Sequence, residues 1–267
     1  MITEAAFLSG TQPPDKAPRK AIRFRDNLVV VLALTTGAVD AATFLRLGKV
    51  FSSVITGNLA LLGVAAGQQN ATLAENGGLA LAGYALGVLI NGMIAGTPES
   101  QQPVWPRRVT VALAAELLVL AGFSGGWLAA GGHPSGGGRV GLLIATGTAM
   151  GMQSTAVRRL GGQISTTYLT STLTALIEAL ATGRRPDKWQ RSTSVLIALV
   201  TGAVLGATAA VQSPSWVPAA VLIPLAAVVA CSLPAAVPRD PARARRPRRP
   251  RRPVKRPPAK GRSAEGR

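Results

Sequence analysis

The chain has 267 residues, 48% of them hydrophobic and only 15% charged, with a mean hydropathy of +0.30, a balance that points to a membrane rather than to water. One cysteine, Cys231, and one histidine, His133, exclude a disulfide framework and any Cys/His metal cluster, and no other cofactor signature is present. The net charge of +18 is uneven, because residues 238–267 hold 13 basic groups against 2 acids, and the stretch between residue 26 and that tail is sparsely charged.

Residues 1–26 form a polar N-terminal segment in which Pro13, Pro14 and Pro18 precede the first apolar run. This lacks the basic-then-apolar opening of a cleavable signal peptide, so the chain is expected to stay in the membrane it enters. Apolar stretches follow at about 28–45, 52–66, 78–96, 107–130, 140–157, 164–181, 193–211 and 216–234. A spanning helix needs about 20 mostly apolar residues. The stretches 52–66 and 164–181 fit poorly, since the first is short and both open with hydroxyl and amide groups. They read as re-entrant or half-length helices.

Sliding the chain by 113 positions lays Arg46, Leu47 and Gly48 over Arg159, Leu160 and Gly161, and one inserted residue later Ile55–Leu59 falls on Leu169–Leu173. The chain therefore reads as two tandem membrane repeats, 27–130 and 139–235. Cytoplasmic loops collect Lys and Arg. Six spans leave only Arg46, Lys49 and Arg139 outside, whereas eight would strand Arg46, Lys49, Arg107, Arg108, Arg158 and Arg159 there. The expected fold is thus an all-α polytopic transmembrane bundle of about six spanning helices and two short ones, with both termini cytoplasmic. Three spans per repeat would make the copies inverted, as in many secondary transporters. The tail, with Arg-Arg-Pro repeated over 245–253, offers nothing to bury and is expected to be disordered. Its partners are expected to be anionic lipid head groups, at about 1 kcal/mol per basic residue near the surface. Nucleic acid is not an expected partner, because no aromatic residue interleaves the arginines.

Asp40 lies within the first apolar helix, where an unpaired carboxylate costs several kcal/mol. Thr36, Asp40 and Thr43 share one helix face, and Gln153, followed by Ser154, takes the corresponding place in the second copy. Two readings stand: a functional acid in the membrane interior, or a solvated acid paired with Arg46 or Lys49 at the helix end. Thr56, Gly57 and Asn58, with Thr170 and Thr172 in the second copy, place small polar groups where the chain re-enters; such breaks must line a cavity or a protein interface. Glu116 is a weaker candidate, within 107–130 and without an evident partner. Gly63/Gly67, Gly83/Gly87, Gly92/Gly96 and Gly202/Gly206 have the spacing that lets helix backbones touch. Trp105, Trp127, Trp189 and Trp216 mark segment ends, as interfacial aromatics do.

Thr36-Gly-Ala-Val-Asp40, Phe44-Leu-Arg-Leu-Gly48, Val50–Leu59 with its Thr-Gly-Asn-Leu, and Gly151-Met-Gln153 with Arg158–Gly161 resemble the YoaK-like bacterial membrane proteins, a family defined as a domain of unknown function. The resemblance covers roughly 28–234. It implies a multi-spanning protein of the bacterial inner membrane and brings no substrate, cofactor or mechanism. Ser154 departs from the family's usual Asn after Gln.

The expected function is a transporter or channel-like permease for an unidentified small solute, with Asp40 as the ion- or proton-coupling residue. The pathway is expected along Asp40, Thr36, Thr56, Gly57, Asn58, Gln153, Ser154, Thr170 and Thr172. The alternative is a non-transporting membrane scaffold or regulator that uses the basic tail. No enzyme is expected, for there is no His-Glu-x-x-His and no nucleophile elbow.

Overall fold

The computed structural model describes residues 19–95, 104–160, 166–183 and 189–236. The N-terminal segment before Arg19 and the basic tail lie outside the described residues, as do the side chains of Thr170 and Thr172. All regular structure among the described residues is helical: α1 Arg19–Thr43, continued by a π turn Phe44–Gly48, α2 Ile55–Gly67, α3 Ala71–Ala95, α4 Arg107–Ala129, α5 Gly136–Arg159, α6 Thr166–Thr182, α7 Trp189–Gln212 and α8 Val217–Ala236. Six of these, α1, α3, α4, α5, α7 and α8, are long and apolar enough to cross a membrane. This matches the all-α polytopic bundle expected from sequence.

Polar contacts fix the directions of the helices. Arg25 near the start of α1 donates to the carbonyl of Leu160 past the end of α5 (3.0 Å). Gln153 donates to the Leu32 carbonyl at mid-length (3.0 Å). Arg139 near the start of α5 donates to the Leu47 carbonyl at the end of α1 (2.9 Å). So α1 and α5 run in opposite directions. Asn76, early in α3, donates to the Gly48 carbonyl (3.2 Å) and accepts from Arg139 (3.0 Å). Hence α3 starts at the end of the bundle where α1 stops, and α2 begins and finishes at that same end without crossing. At the opposite end, Arg191 of α7 pairs with Asp26 of α1 (3.3 Å). The chain between Leu160 and Arg191, which contains α6, therefore also begins and finishes at one end.

The closest helix crossings are α1 with α7 and α3 with α5, each parallel and each built on glycine. A Cβ on Gly37 would lie 2.1 Å from the Leu199 carbonyl, and one on Gly202 would lie 2.1 Å from the Leu34 carbonyl. In the other pair, Cβ atoms on Gly151 and Gly87 would lie 2.1 Å from the Tyr84 carbonyl and 1.9 Å from the Thr148 carbonyl. Lipid supplies little hydrophobic drive between helices, so close backbone packing of this kind has to supply it. Of the glycine spacings noted in the sequence, Gly83/Gly87 and Gly202/Gly206 make such crossings, while Gly63, Gly67 and Gly92 face open space. Trp105 and Trp127 are buried against protein and not at a lipid interface, donating to the Thr110 hydroxyl (2.8 Å) and the Pro214 carbonyl (2.7 Å). Trp216, 67% exposed, has the position of an interfacial ring, and the side chain of Trp189 lies outside the described residues.

Replacing Gly87 by Ala forces α3 and α5 apart at the tightest crossing and should cost about 1–3 kcal/mol, the usual range for overpacking. Thermal unfolding in detergent would show a clearly lowered midpoint for Gly87→Ala and an unchanged or raised one for Gly63→Ala.

Candidate functional site

Asp40 is buried in α1 and is neither solvated nor paired with a cation. Arg46 donates instead to the Ala210 carbonyl (2.6 and 3.0 Å), and the Lys49 ammonium lies over the Phe44 ring (5.6 Å). The partners of the carboxylate come from the chain that folds back on α1. Oδ1 accepts the backbone N–H groups of Ser52 and Ser53 (both 2.8 Å), and Oδ2 accepts the Ser53 hydroxyl (2.5 Å). Three donors on one carboxylate are charge-assisted hydrogen bonds, the stronger kind.

The same return is fixed at several further points. The Thr43 and Ser52 hydroxyls share a hydrogen bond (2.9 Å). The Asn58 side chain clamps both polar atoms of the Phe51 backbone, accepting from N–H (3.0 Å) and donating to C=O (2.5 Å). Phe51 in turn stacks on Phe44 with ring centroids 4.9 Å apart. Gly48, at φ +149°, has no room for a Cβ, which would meet Asn76 at 2.5 Å. Asp40, Gly48 and Asn58, three of the positions that carried the sequence resemblance, thus build one object: the sharp return between α1 and α2. Thr56 is exposed, and Gly57 lies against Val54 and Phe51.

Thr36 and Gln153 do meet. Gln153 Nε2 donates to the Thr36 hydroxyl (2.9 Å), which itself donates to the Leu32 carbonyl (3.2 Å). Gln153 Oε1 is buried with no partner. One position on, Ser154 shares a hydrogen bond with the Tyr84 hydroxyl (2.8 Å). From α3, Asn91 donates to the Met152 carbonyl (2.6 Å), and its Oδ1 is likewise buried without a partner. On α1, the Thr35 hydroxyl is in the same condition.

Glu116 reaches this level on α4. The hairpin of α4 and α5 packs Gly126 against the Leu142 side chain, and ten residues along each helix from that contact, about 15 Å at 1.5 Å per residue, stand Glu116 and Met152. Glu116 is fully buried, and neither carboxyl oxygen has a hydrogen-bond partner. Four helices, α1, α3, α4 and α5, thus bring Thr35, Thr36, Asn91, Glu116 and Gln153 to about one depth. Most buried polar groups in proteins are paired, so this concentration of spare acceptors marks the layer as the candidate site.

Residues 28–232 match the family described as "Protein of unknown function (DUF1275)". The chain belongs to this family. The UPF0700 transmembrane protein YoaK of Bacillus subtilis (strain 168) is 37% identical to it over 174 residues, which cover 65% of this chain and 74% of the relative. No solved structure gives a significant match. In this DUF1275 protein the polar layer and the α1–α2 return are separate constructions, both built against α1, α3 and α5. Of the residues named from sequence, Thr36, Asp40, Asn58, Gln153 and Ser154 make buried or half-buried hydrogen bonds and Glu116 is buried without one, while Thr35, Tyr84 and Asn91 were not among the candidates. The signal for Asn91 was available: it continues the Gly83/Gly87 face by one more turn, the face that meets α5. Among the described residues no group of His, Cys, Asp and Glu could hold a metal ion.

Asp40→Ala would leave the buried Ser52 N–H and the half-buried Ser53 N–H and hydroxyl without their acceptor, at up to about 1–3 kcal/mol for each group left unpaired. Hydrogen exchange should then show lost protection at the Ser52 and Ser53 amides, with the α3 and α5 amides near the glycine crossing still protected.

Proposed function

We infer that the protein is a small-solute permease of the bacterial plasma membrane that holds its solute at mid-depth, in the layer formed by Thr35, Thr36, Asn91, Glu116 and Gln153. The observation that carries this is the concentration of buried, unpaired acceptors at one level of an apolar bundle. A bilayer core offers such groups no partner, and each costs free energy unless water or a solute meets it. The layer holds amides, hydroxyls and one carboxyl group but no Lys or Arg, so it suits a small polar solute that is neutral or cationic. An anion would find no counter-charge there.

The reading also takes the chain as two inverted halves, α1–α4 and α5–α8. The crossings support it. Gly37 against Leu199 has its counterpart in Gly151 against Tyr84, and Gly202 against Leu34 has its counterpart in Gly87 against Thr148. These pairs stand 114 or 115 positions apart. On that register Asp40 corresponds to Ser154, one position from the Gln153 suggested by sliding the sequence. The π turn at Phe44–Gly48 accounts for the difference, since it inserts one residue into a helical turn of the first half. Asp40 then serves the first half alone, as the clasp of its re-entrant segment, and not as the coupling acid.

The permease reading is tested by uptake into proteoliposomes with a panel of neutral, cationic and anionic solutes. A neutral or cationic solute should accumulate, and Gln153→Leu should slow it at least tenfold, the equivalent of about 1.4 kcal/mol, while eluting as a well-folded species. Equal uptake by Gln153→Leu, or by empty vesicles, would end this reading and favour a scaffold. The topology has its own check. With the exposed Cys231 replaced by Ala, a cysteine at the exposed Gln69 should react with an impermeant maleimide in intact cells. Reaction only after permeabilisation would place the α2–α3 turn in the cytoplasm.

A further inference from the structure

Glu116 differs from Asp40 in one decisive respect. Asp40 accepts three hydrogen bonds, the pattern of a group held as its anion. Glu116 is fully buried with both oxygens unpartnered. The helices packed against α4 bring no counter-charge to its level. On α5, Arg139 is spent at one end on Leu47 and Asn76, and Arg158 and Arg159 stand some two turns away at the other. On α3, Glu75 stands near the end marked by Asn76, and Tyr84, within the layer, is a neutral phenol bonded to Ser154. α8 carries no acidic or basic residue, its thiol Cys231 being exposed. Arg107 and Arg108 open α4 itself, two turns from Glu116.

A bare carboxylate in such surroundings is not tolerated, so the group must carry either a proton or a bound cation. α8 contributes a carbonyl at about this depth. Trp127 binds the Pro214 carbonyl, which sets the two helices in register and puts Pro224 about level with Glu116. Proline has no N–H, so the Ala220 carbonyl loses its helical donor.

We propose that Glu116 is a proton-exchange site, holding a proton while the layer is empty and a solute cation in its place when the layer is filled. In the exchange Glu116 gives its proton to water entering the layer, and the carboxylate pairs with the incoming cation, assisted by the Ala220 carbonyl. When the cation leaves, a proton from water returns to the carboxylate. The exchange with solute rests on the permease reading; the protonation of Glu116 does not.

The test uses the full-length protein in lipid vesicles, with methylammonium as the cationic probe. Infrared spectra of the wild type should contain the carbonyl stretch of a protonated, non-hydrogen-bonded carboxyl, and E116Q should lack it. Mass spectrometry after treatment with a hydrophobic carbodiimide, which needs no variant, should find the adduct on Glu116, and methylammonium should slow its formation several-fold. An infrared band unchanged in E116Q, or an adduct confined to Asp40, would overturn the proposal. An adduct on Glu116 that methylammonium does not slow would overturn the exchange. Labelling and protection as expected, with no probe moved across the vesicle, would support the proton site and overturn the permease reading.

Discussion

Nothing in the hydrocarbon interior of a bilayer can accept a hydrogen bond, so every polar atom that the fold places there has to be answered by another part of the chain. The return between α1 and α2 is where this constraint acts most strongly. A helix meets its own N–H groups, but the turn at 49–54 leaves those of Phe51, Ser52 and Ser53 without a ladder. Asp40 answers two of them and Asn58 the third. Both side chains are drawn from helices that flank the break, so the return is held by the elements it joins. A carboxylate that looks expensive within an apolar helix is therefore the group that makes the re-entrant segment affordable.

The same constraint separates two kinds of buried polar residue. At the return, donors and acceptors match, and the parts are fixed. At mid-depth they do not match: Gln153 and Asn91 each spend their amide nitrogen on a neighbouring helix and keep an oxygen in reserve. A fully matched network rigidifies, whereas one with spare acceptors invites a further donor. This contrast moves the functional interest from the first acid noticed in the sequence to a layer that contains the second.

How much of this was legible beforehand depended on whether the signal was local. Six long apolar stretches and two short polar-headed ones were enough for the helices, and the distribution of arginine was enough to prefer six spans. Asp40 stood out because a lone acid in an apolar run is conspicuous, yet its role was hidden, because its partners are backbone N–H groups that no residue type advertises. The neighbours first suggested, Arg46 and Lys49, were nearest in sequence but turn elsewhere, to Ala210 and the Phe44 ring. The π turn at Phe44–Gly48 was not legible either, because such a turn leaves no mark in composition. Glycine spacing indicated close contact but not which pairs achieve it, which depends on the partner helix.

The parallel pairing of α1 with α7 has a consequence for biosynthesis. Ala38, at the crossing, is synthesised long before Gly206, its partner, and at 5–20 residues per second the delay is on the order of 10–30 seconds. During that interval α1 sits in the membrane without the neighbour that covers its glycine face, and α3 waits for α5 for a shorter time. The glycine face of α1 thus stays uncovered until the last third of the chain emerges, and a ribosome that stalls within α7 would release a chain that cannot complete its bundle.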